Sequence, residues 1–130
     1  MKKFENFQKA LHNLHDINHY NEPYENVVLT GMVSLFEICF EQSWKAMKEI
    51  LSMHGYEEGN TGSPRMTIKT AYKAGMIQDE QLWLEALDSR NNASHAHNQN
   101  IALGIVHKTK SEYIKMFEAL EATLRTNWIE

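Results

Sequence analysis

The sequence predicts an all-α protein, an antiparallel four-helix up-and-down bundle with an additional short helix. Three observations predict this class. Apolar residues recur at spacings of three and four along most of the 130-residue chain, strand-like alternation is absent, and the two prolines, Pro23 and Pro64, stand where helices would begin. Residues 1–130 are therefore interpreted as a single helical bundle domain.

The first predicted helix covers residues 2–19. Phe4, Phe7, Leu11 and Leu14 are spaced so that they share one face, which is typical of an amphipathic helix. The stretch at residues 21–24 ends it, because Pro23 disfavours the helical conformation at the residue before it.

The second predicted helix, residues 24–54, is the longest, and Gly55 follows as its stop. Cys39 lies within its apolar stripe, where a thiol packs as a small hydrophobe. As the only cysteine, it excludes an internal disulfide and favours a reducing compartment, with a dimer bridged through Cys39 as the weaker alternative. The stripe consists of Val28, Met32, Leu35, Phe36, Cys39, Phe40, Ser43, Trp44, Met47, Ile50 and Leu51.

A polar, glycine-rich loop at residues 57–62 is predicted to be the flexible region, and a short third helix follows it. Ser63 is its predicted N-cap and Pro64 occupies its first position. The helix is expected to end near Gly75. Its predicted inward residues are Ile68, Ala71 and Tyr72.

The fourth helix is predicted to begin near Asp79, whose side chain can cap it, and the final helix to cover residues 100–128. The fourth helix carries Leu82, Trp83, Leu87 and Arg90 on one face. The inner face of the final helix consists of Ile101, Ile105, Thr109, Tyr113, Met116, Phe117, Leu120 and Leu124.

Composition narrows the function classes. The net charge of −4 gives no support for a general nucleic-acid binder, although a local basic cleft is compatible with it. Lys2 and Lys3 are not followed by an apolar signal region, and charged residues interrupt every apolar stretch before the length of a membrane span. We therefore expect a soluble, cytoplasmic protein with no membrane partner.

The stretch at residues 88–98 is rich in Asn, Ser and His, which are poor helix formers. Within it, Arg90 and His95 are the candidate catalytic residues. They suit metal-independent cleavage of RNA, in which an imidazole removes the proton of a ribose 2′-hydroxyl and a guanidinium stabilises the charged phosphorane. Asn91 and Ser94 are candidates to hold the phosphate or orient the imidazole.

Helix geometry limits this hypothesis. Residues five apart lie about 140° apart around an ideal helix, so Arg90 and His95 do not share a face. Either the helix loosens after Arg90, or two copies of the site meet across a dimer. The alternative without function is that Arg90 pairs with Asp88 or Glu85, while His95 caps a helix end.

No metal or cofactor is predicted. His12, His15 and His19, with Asp16 nearby, could place imidazoles together, but no fixed third and fourth ligands are visible, which favours a solvated helix face. His95 and His97 lack cysteine or carboxylate neighbours at metal-binding spacing. A phosphate-binding glycine loop and a GxSxG turn are absent, which excludes nucleotide hydrolysis by those devices.

Four stretches together resemble one family. Residues 4–11 resemble its opening helix, and residues 36–45 its F-E-x-x-F-E-x-x-W-K signature. Residues 63–75 resemble its P-R…A-x-K-A-G segment, and residues 83–95 its W-x-x-x-L-x-x-R-N-x-x-S-H segment. The family is the nucleotidyltransferase substrate-binding proteins, a branch of the HEPN superfamily.

This resemblance implies a helical bundle that dimerises, with a minimal nucleotidyltransferase as partner. It also implies two hypotheses of function. In the first, the chain is a ribonuclease toxin whose R-x4-H motif, here Arg90 and His95, gathers at a dimer cleft to cut RNA, with the partner as antitoxin. In the alternative, it is a non-catalytic subunit that binds substrate for a two-component nucleotidyltransferase.

One position departs from the family. Toxic members often carry a tyrosine two residues after the motif histidine, which the partner modifies with AMP. Here that position is His97, so the hydroxyl acceptor is missing and His97 is instead a candidate substrate contact. The RNA target, the nucleotide used by the partner and the stoichiometry of the complex do not follow from the sequence.

Overall fold

A computed structural model describes residues 1–56 and 62–129, and within them the predicted all-α bundle is confirmed. Helix α1 (Lys2–Leu14) runs into a 3₁₀ turn (His15–His19), and the long α2 (Asn26–Met53) follows. The short α3 (Pro64–Lys73) precedes α4 (Glu80–Asn92), which ends in a 3₁₀ turn (Ala93–His95). The C-terminal helix consists of α5 (Gln99–Lys108), a π turn (Thr109–Tyr113), α6 (Ile114–Thr123) and a second π turn (Leu124–Trp128).

The helix boundaries follow from local signals in the sequence. The Ser63 hydroxyl accepts a hydrogen bond from the Met66 amide at the start of α3. The Asp79 carboxylate likewise accepts one from the Leu82 amide at 3.0 Å and caps α4. Gly55 and Gly75 stop α2 and α3 with φ angles of 87° and 80°, a conformation that favours glycine. Both predicted caps and both predicted stops are confirmed.

Helix α2 lies at the centre and contacts α1, α3, α4 and α5. Phe36, in its middle, stacks on Tyr113 with ring centroids 5.2 Å apart and also lies near the rings of Phe40 and Phe117. Phe40 is in turn 6.1 Å from Trp83 of α4. This aromatic cluster therefore joins α2 to α4 and to the C-terminal helix.

Most predicted inward residues are buried, but some expectations were wrong. Tyr72, expected to face inward from α3, is 47% exposed, because Ile68 and Ala71 already fill the side of α3 that packs on the core. Trp83, on the predicted face of α4, is buried in the core, whereas Arg90 on the same face is partly exposed. Val28, Leu35 and Trp44 of the predicted α2 stripe are only partly buried at its edges.

The π turn at Thr109–Tyr113 explains how the C-terminal helix keeps one inner face. Ile105, Thr109, Tyr113 and Phe117 are all buried although each follows the last by four residues. In a regular helix three such steps drift by about 120° around the axis. A turn closed by i→i+5 hydrogen bonds holds more residues and absorbs that drift.

Two further expectations concern the chain as a whole. The loop predicted to be flexible, residues 57–62, lies outside the described residues except for Gly62. Among the residues that the structure describes, no helix combines the length and apolar character needed to cross a bilayer.

Candidate functional site

The candidate site lies where α4 ends, and the packing of α4 determines which of its side chains are exposed to solvent there. Trp83, Ala86 and Leu87 bury one side of the helix. Ser89 and Arg90 follow in the last turn and are partly exposed, and Asn91 and Asn92 are exposed. The Ser89 hydroxyl shares a hydrogen bond of 2.8 Å with the buried Tyr113 hydroxyl, which ties this last turn to the C-terminal helix.

Arg90 packs against α2. Its guanidinium carbon lies 5.7 Å from the centroid of the Phe40 ring, and its Nη1 atom is 3.6 Å from the nearer carboxylate oxygen of Glu41. That distance is too long for a good hydrogen bond. The Arg90 Nε atom is buried and has no hydrogen-bond partner within the described residues. The guanidinium is therefore held by the negative charge of Glu41 and by contact with the Phe40 ring. Its N–H donors make no hydrogen bond within the described residues.

A second carboxylate lies near Arg90. The pKa of Glu37, one turn before Glu41 on α2, is raised by partial burial, and the positive charge of Arg90 acts in the opposite direction. Burial outweighs the attraction, which means that the Glu37 carboxylate is not fully compensated by Arg90. An anion that approaches Arg90 therefore meets one arginine charge flanked by two acidic side chains.

His95 ends the 3₁₀ turn that follows α4, and its side chain is exposed. Its ring lies 6.3 Å from that of His97, at an interplanar angle of 65°. Within residues 1–56 and 62–129, the His95 ring makes no hydrogen bond or ion pair, and the cap of α5 is the Asn98 side chain. The expected alternative role of His95 as a helix cap is therefore wrong.

Asn91 and Ser94 lie between the two candidate catalytic residues, and both are exposed. The Ser94 hydroxyl donates to the Asn91 carbonyl at 3.4 Å, a weak local bond that leaves the Asn91 side-chain amide uninvolved. Together with His97, they add polar groups to the same turn.

The helix tightens after Arg90, whereas pairing within one chain requires it to loosen. Two α-helical steps and three 3₁₀ steps separate Arg90 from His95, which sets their directions about 160° apart. The guanidinium faces α2, and the imidazole lies on a different side of the turn. Of the two routes to a joint site, this geometry favours completion by a second copy of the chain.

The expected pairing of Arg90 with Asp88 or Glu85 of the same helix was also wrong. Asp88 lies 3.9 Å from Arg65 of α3, and Glu85 pairs with Lys108 of α5 at 3.2 Å. Both carboxylates therefore pair with basic side chains of other helices. Arg90 instead pairs across to α2, a contact that spacing along one helix could not indicate.

Of the three histidines at residues 12–19, His15 contacts another helix. His15 Nε2 lies 2.9 Å from a carboxylate oxygen of Glu118 on α6, while His12 and His19 are exposed. Among the described residues, no three His, Cys, Asp or Glu side chains lie close enough together to hold a metal ion.

Comparison with known proteins finds a matching protein family and solved structures with the same fold. The family described as nucleotidyltransferase substrate binding protein like matches residues 2–126. A protein of Haemophilus influenzae described as a probable ribonuclease HepT is 26% identical over 83 residues. That match covers 62% of this chain and 57% of the other, so the chain spans little more than half the length of this relative.

Two solved structures share the architecture. A protein of Thermus thermophilus has 27% sequence identity and a TM-score of 0.80, covering 92% of this chain and 98% of the other. A Haemophilus influenzae protein, described as having the fold of a substrate binding domain of a nucleotidyltransferase, superposes with a TM-score of 0.71. It is 21% identical and 96% of each chain is covered, a likeness that concerns the fold alone.

Proposed function

The chain belongs to the family of nucleotidyltransferase substrate-binding proteins, and from this premise we propose that it is the helical partner of a minimal nucleotidyltransferase and cleaves RNA without a metal. The proposed catalytic residues are Arg90 and His95, completed across a homodimer. The proposed place of action is the cytoplasm, and the proposed role is that of the toxin in a toxin–antitoxin pair. The likeness to a probable ribonuclease supports this proposal.

The observation that carries the proposal is the state of Arg90. A buried guanidinium N–H without a partner costs free energy, so a purely structural arginine is expected to satisfy its donors. Here the nearest carboxylate oxygen is 3.6 Å from Nη1, and Nε has no partner within the described residues. A phosphate that enters beside Arg90 would accept charge-assisted hydrogen bonds from the partly exposed guanidinium, which Glu41 does not satisfy.

His95 supplies the proton chemistry of the proposed reaction. The His95 side chain is exposed, and a neutral imidazole has one ring nitrogen that can accept a proton. It removes the proton of the ribose 2′-hydroxyl, and the 2′-oxygen forms a bond to phosphorus as the bond to the 5′-oxygen breaks. The leaving oxygen takes a proton from water, and a 2′,3′-cyclic phosphate results. Asn91, Ser94 and His97 are proposed to contact the phosphate or the neighbouring ribose.

Cleavage of a labelled RNA by the purified chain, with a chelator present, tests the proposal. We expect Arg90→Ala and His95→Ala each to lower the rate by about 10²–10⁴-fold, the range for loss of a proton-transfer group or a charge-stabilising group. His19→Ala, an exposed histidine on the turn after α1, is the matched control and should cleave like the wild type. Cleavage that survives both site substitutions would contradict the assignment.

Mixing the two inactive variants tests the dimer. A mixed dimer contains one site with both wild-type residues if Arg90 comes from one chain and His95 from the other. Random exchange then restores about a quarter of the wild-type sites. No recovery, with exchange verified by differently tagged chains, would place both groups in one chain and overturn the shared site.

A second candidate function is favoured by Glu37 and Glu41, whose negative charges oppose the binding of a polyanion at Arg90. In this alternative, the chain binds substrate for a catalytic nucleotidyltransferase and cleaves nothing. The distinguishing measurement is co-expression with a neighbouring nucleotidyltransferase reading frame. A folded chain that forms the complex, is not toxic alone and does not cut RNA would favour this alternative.

A further inference from the structure

A shallow groove of about 390 Å³ runs along the exposed side of the second half of α2, and no role has been given to it so far. Its lining combines three basic side chains with one acidic side chain and an indole, in a chain whose net charge is −4. The lining residues are Lys3, Trp44, Lys45, Lys48, Glu49, Ser52 and Met53. The local charge of this groove is therefore opposite in sign to that of the protein as a whole.

Trp44 provides an aromatic surface in this groove. Its side chain is only partly buried, and the Lys48 ammonium lies 5.8 Å from the centroid of its ring. The indole N–H is buried, without a hydrogen-bond partner in the described part of the chain, so the exposed part of the ring is carbon. An exposed aromatic ring beside ammonium groups is the combination that stacks a base and neutralises its phosphates.

Glu41 on α2 connects the groove residue Lys45 with Arg90 through two ion pairs. Glu41 is 3.6 Å from Arg90 and 3.8 Å from Lys45, one turn further along α2. Lys48 lies seven residues beyond Glu41, about 10 Å along the helix axis, and on the same side of it. The groove lysines and the contact of α2 with Arg90 therefore lie along the same side of this helix.

We propose that this groove binds a phosphorylated base, with the base on Trp44 and its phosphates on Lys3, Lys45 and Lys48. The inference rests on the proposed function, where the base belongs to an RNA strand whose neighbouring phosphate lies at Arg90. A free nucleoside triphosphate presents the same chemistry and would suit a substrate-binding subunit. Glu49 and the Glu41–Lys45 pair offset part of the positive charge, so we expect binding that is strongly salt-dependent.

Binding is measured without cleavage, which separates this inference from the nuclease proposal. The probes are a fluorescein-labelled 2′-O-methyl RNA, which lacks the attacking hydroxyl, and adenosine triphosphate, followed by anisotropy and by calorimetry. The variant is Lys45→Gln/Lys48→Gln. The matched control is Lys69→Gln/Lys115→Gln, which removes two exposed lysines from α3 and α6.

We expect the groove variant to weaken RNA binding about tenfold at low salt and to reduce the slope of log K against log salt by about 1.4, since each neutralised phosphate of a single strand contributes about 0.7. Trp44→Leu should weaken binding by a similar factor, and its unfolding curve shows whether the variant is folded. A loss confined to adenosine triphosphate would assign the groove to a free nucleotide.

The inference is overturned if neither probe binds the wild type, or if the groove variant binds both probes like the wild type. The nuclease proposal fails separately. In that case RNA is not cut by the wild type, while the groove variant still loses binding of the 2′-O-methyl strand.

Discussion

The aromatic cluster around Phe36 and the turn that follows α4 are both linked through α4, yet their side chains differ in how many partners they have. Phe36 lies within 6.4 Å of three aromatic rings, and its exposure is zero. Arg90 has an Nε atom without an acceptor, and the His95 ring makes no hydrogen bond within the described residues. Packing within the chain satisfies the side chains of the first region. It leaves polar groups of the second region without partners, as is typical of a binding site.

Truncation of the core should give the largest effect on stability. Phe36→Ala removes a fully buried ring, and we expect the free energy of unfolding to fall by about 3–5 kcal/mol. The measurement is urea denaturation followed by circular dichroism. Ile38→Ala, two residues along α2 but 52% exposed, is the matched control and should stay within about 0.5 kcal/mol of the wild type.

His95→Ala should change the free energy of unfolding as little as Ile38→Ala does, because the His95 side chain is exposed. A loss of more than about 1 kcal/mol would mean that the turn is part of the folded framework. The two regions would then no longer differ as described.

The hydrogen bond between Ser89 and Tyr113 connects the two regions, and its loss should have an intermediate effect. The pKa of Tyr113 is raised, chiefly by burial, while the Ser89 hydroxyl lowers it. Tyr113→Phe keeps the ring stacked on Phe36 but removes the hydroxyl, and we expect a loss of about 1 kcal/mol. Tyr72→Phe, at an exposed tyrosine, should change the denaturation midpoint little, and equal effects of both substitutions would show that the buried bond contributes nothing.

Glu37 should give the smallest effect, and its sign is fixed by its raised pKa. A carboxyl whose folded-state pKa exceeds the unfolded value binds its proton more tightly when folded, so its ionisation costs stability as pH rises through that pKa. Glu37→Gln should therefore raise the melting temperature at pH 7, by about 1–2 °C because the group is largely solvated. The difference should vanish near pH 4, and a gain that grows on acidification would contradict the cause.

The sequence predicted the helices, and its limits lie in the contacts between them. Periodic apolar residues located α2, and Ser63, Asp79, Gly55 and Gly75 marked helix ends, because these signals act within one turn of the chain. The partner of Arg90 is 49 positions away on α2, and no local spacing can indicate it. For the same reason Glu41 and Tyr113 were missed as neighbours of the candidate site.

For Arg90 and His95, the sequence indicated the residue types and the geometric difficulty. It left open how the chain continues after Arg90, because Asn, Ala and Ser favour neither a tighter nor a wider turn strongly enough. The 3₁₀ turn at Ala93–His95 contacts both α2 and α5, so its conformation depends on packing between segments that are distant along the chain.

The π turn at Thr109–Tyr113 shows how the C-terminal helix holds one residue more than a regular α-helix would over the same length. A one-residue insertion usually requires a loop, but here an additional residue is absorbed within a continuous helix. Deletion of a single residue from this turn would restore the regular α-helical repeat and leave Phe117 within about 20° of the face that Ile105 occupies. Alignment gaps of one residue at this position therefore belong inside a helix, where they keep the inner face in register.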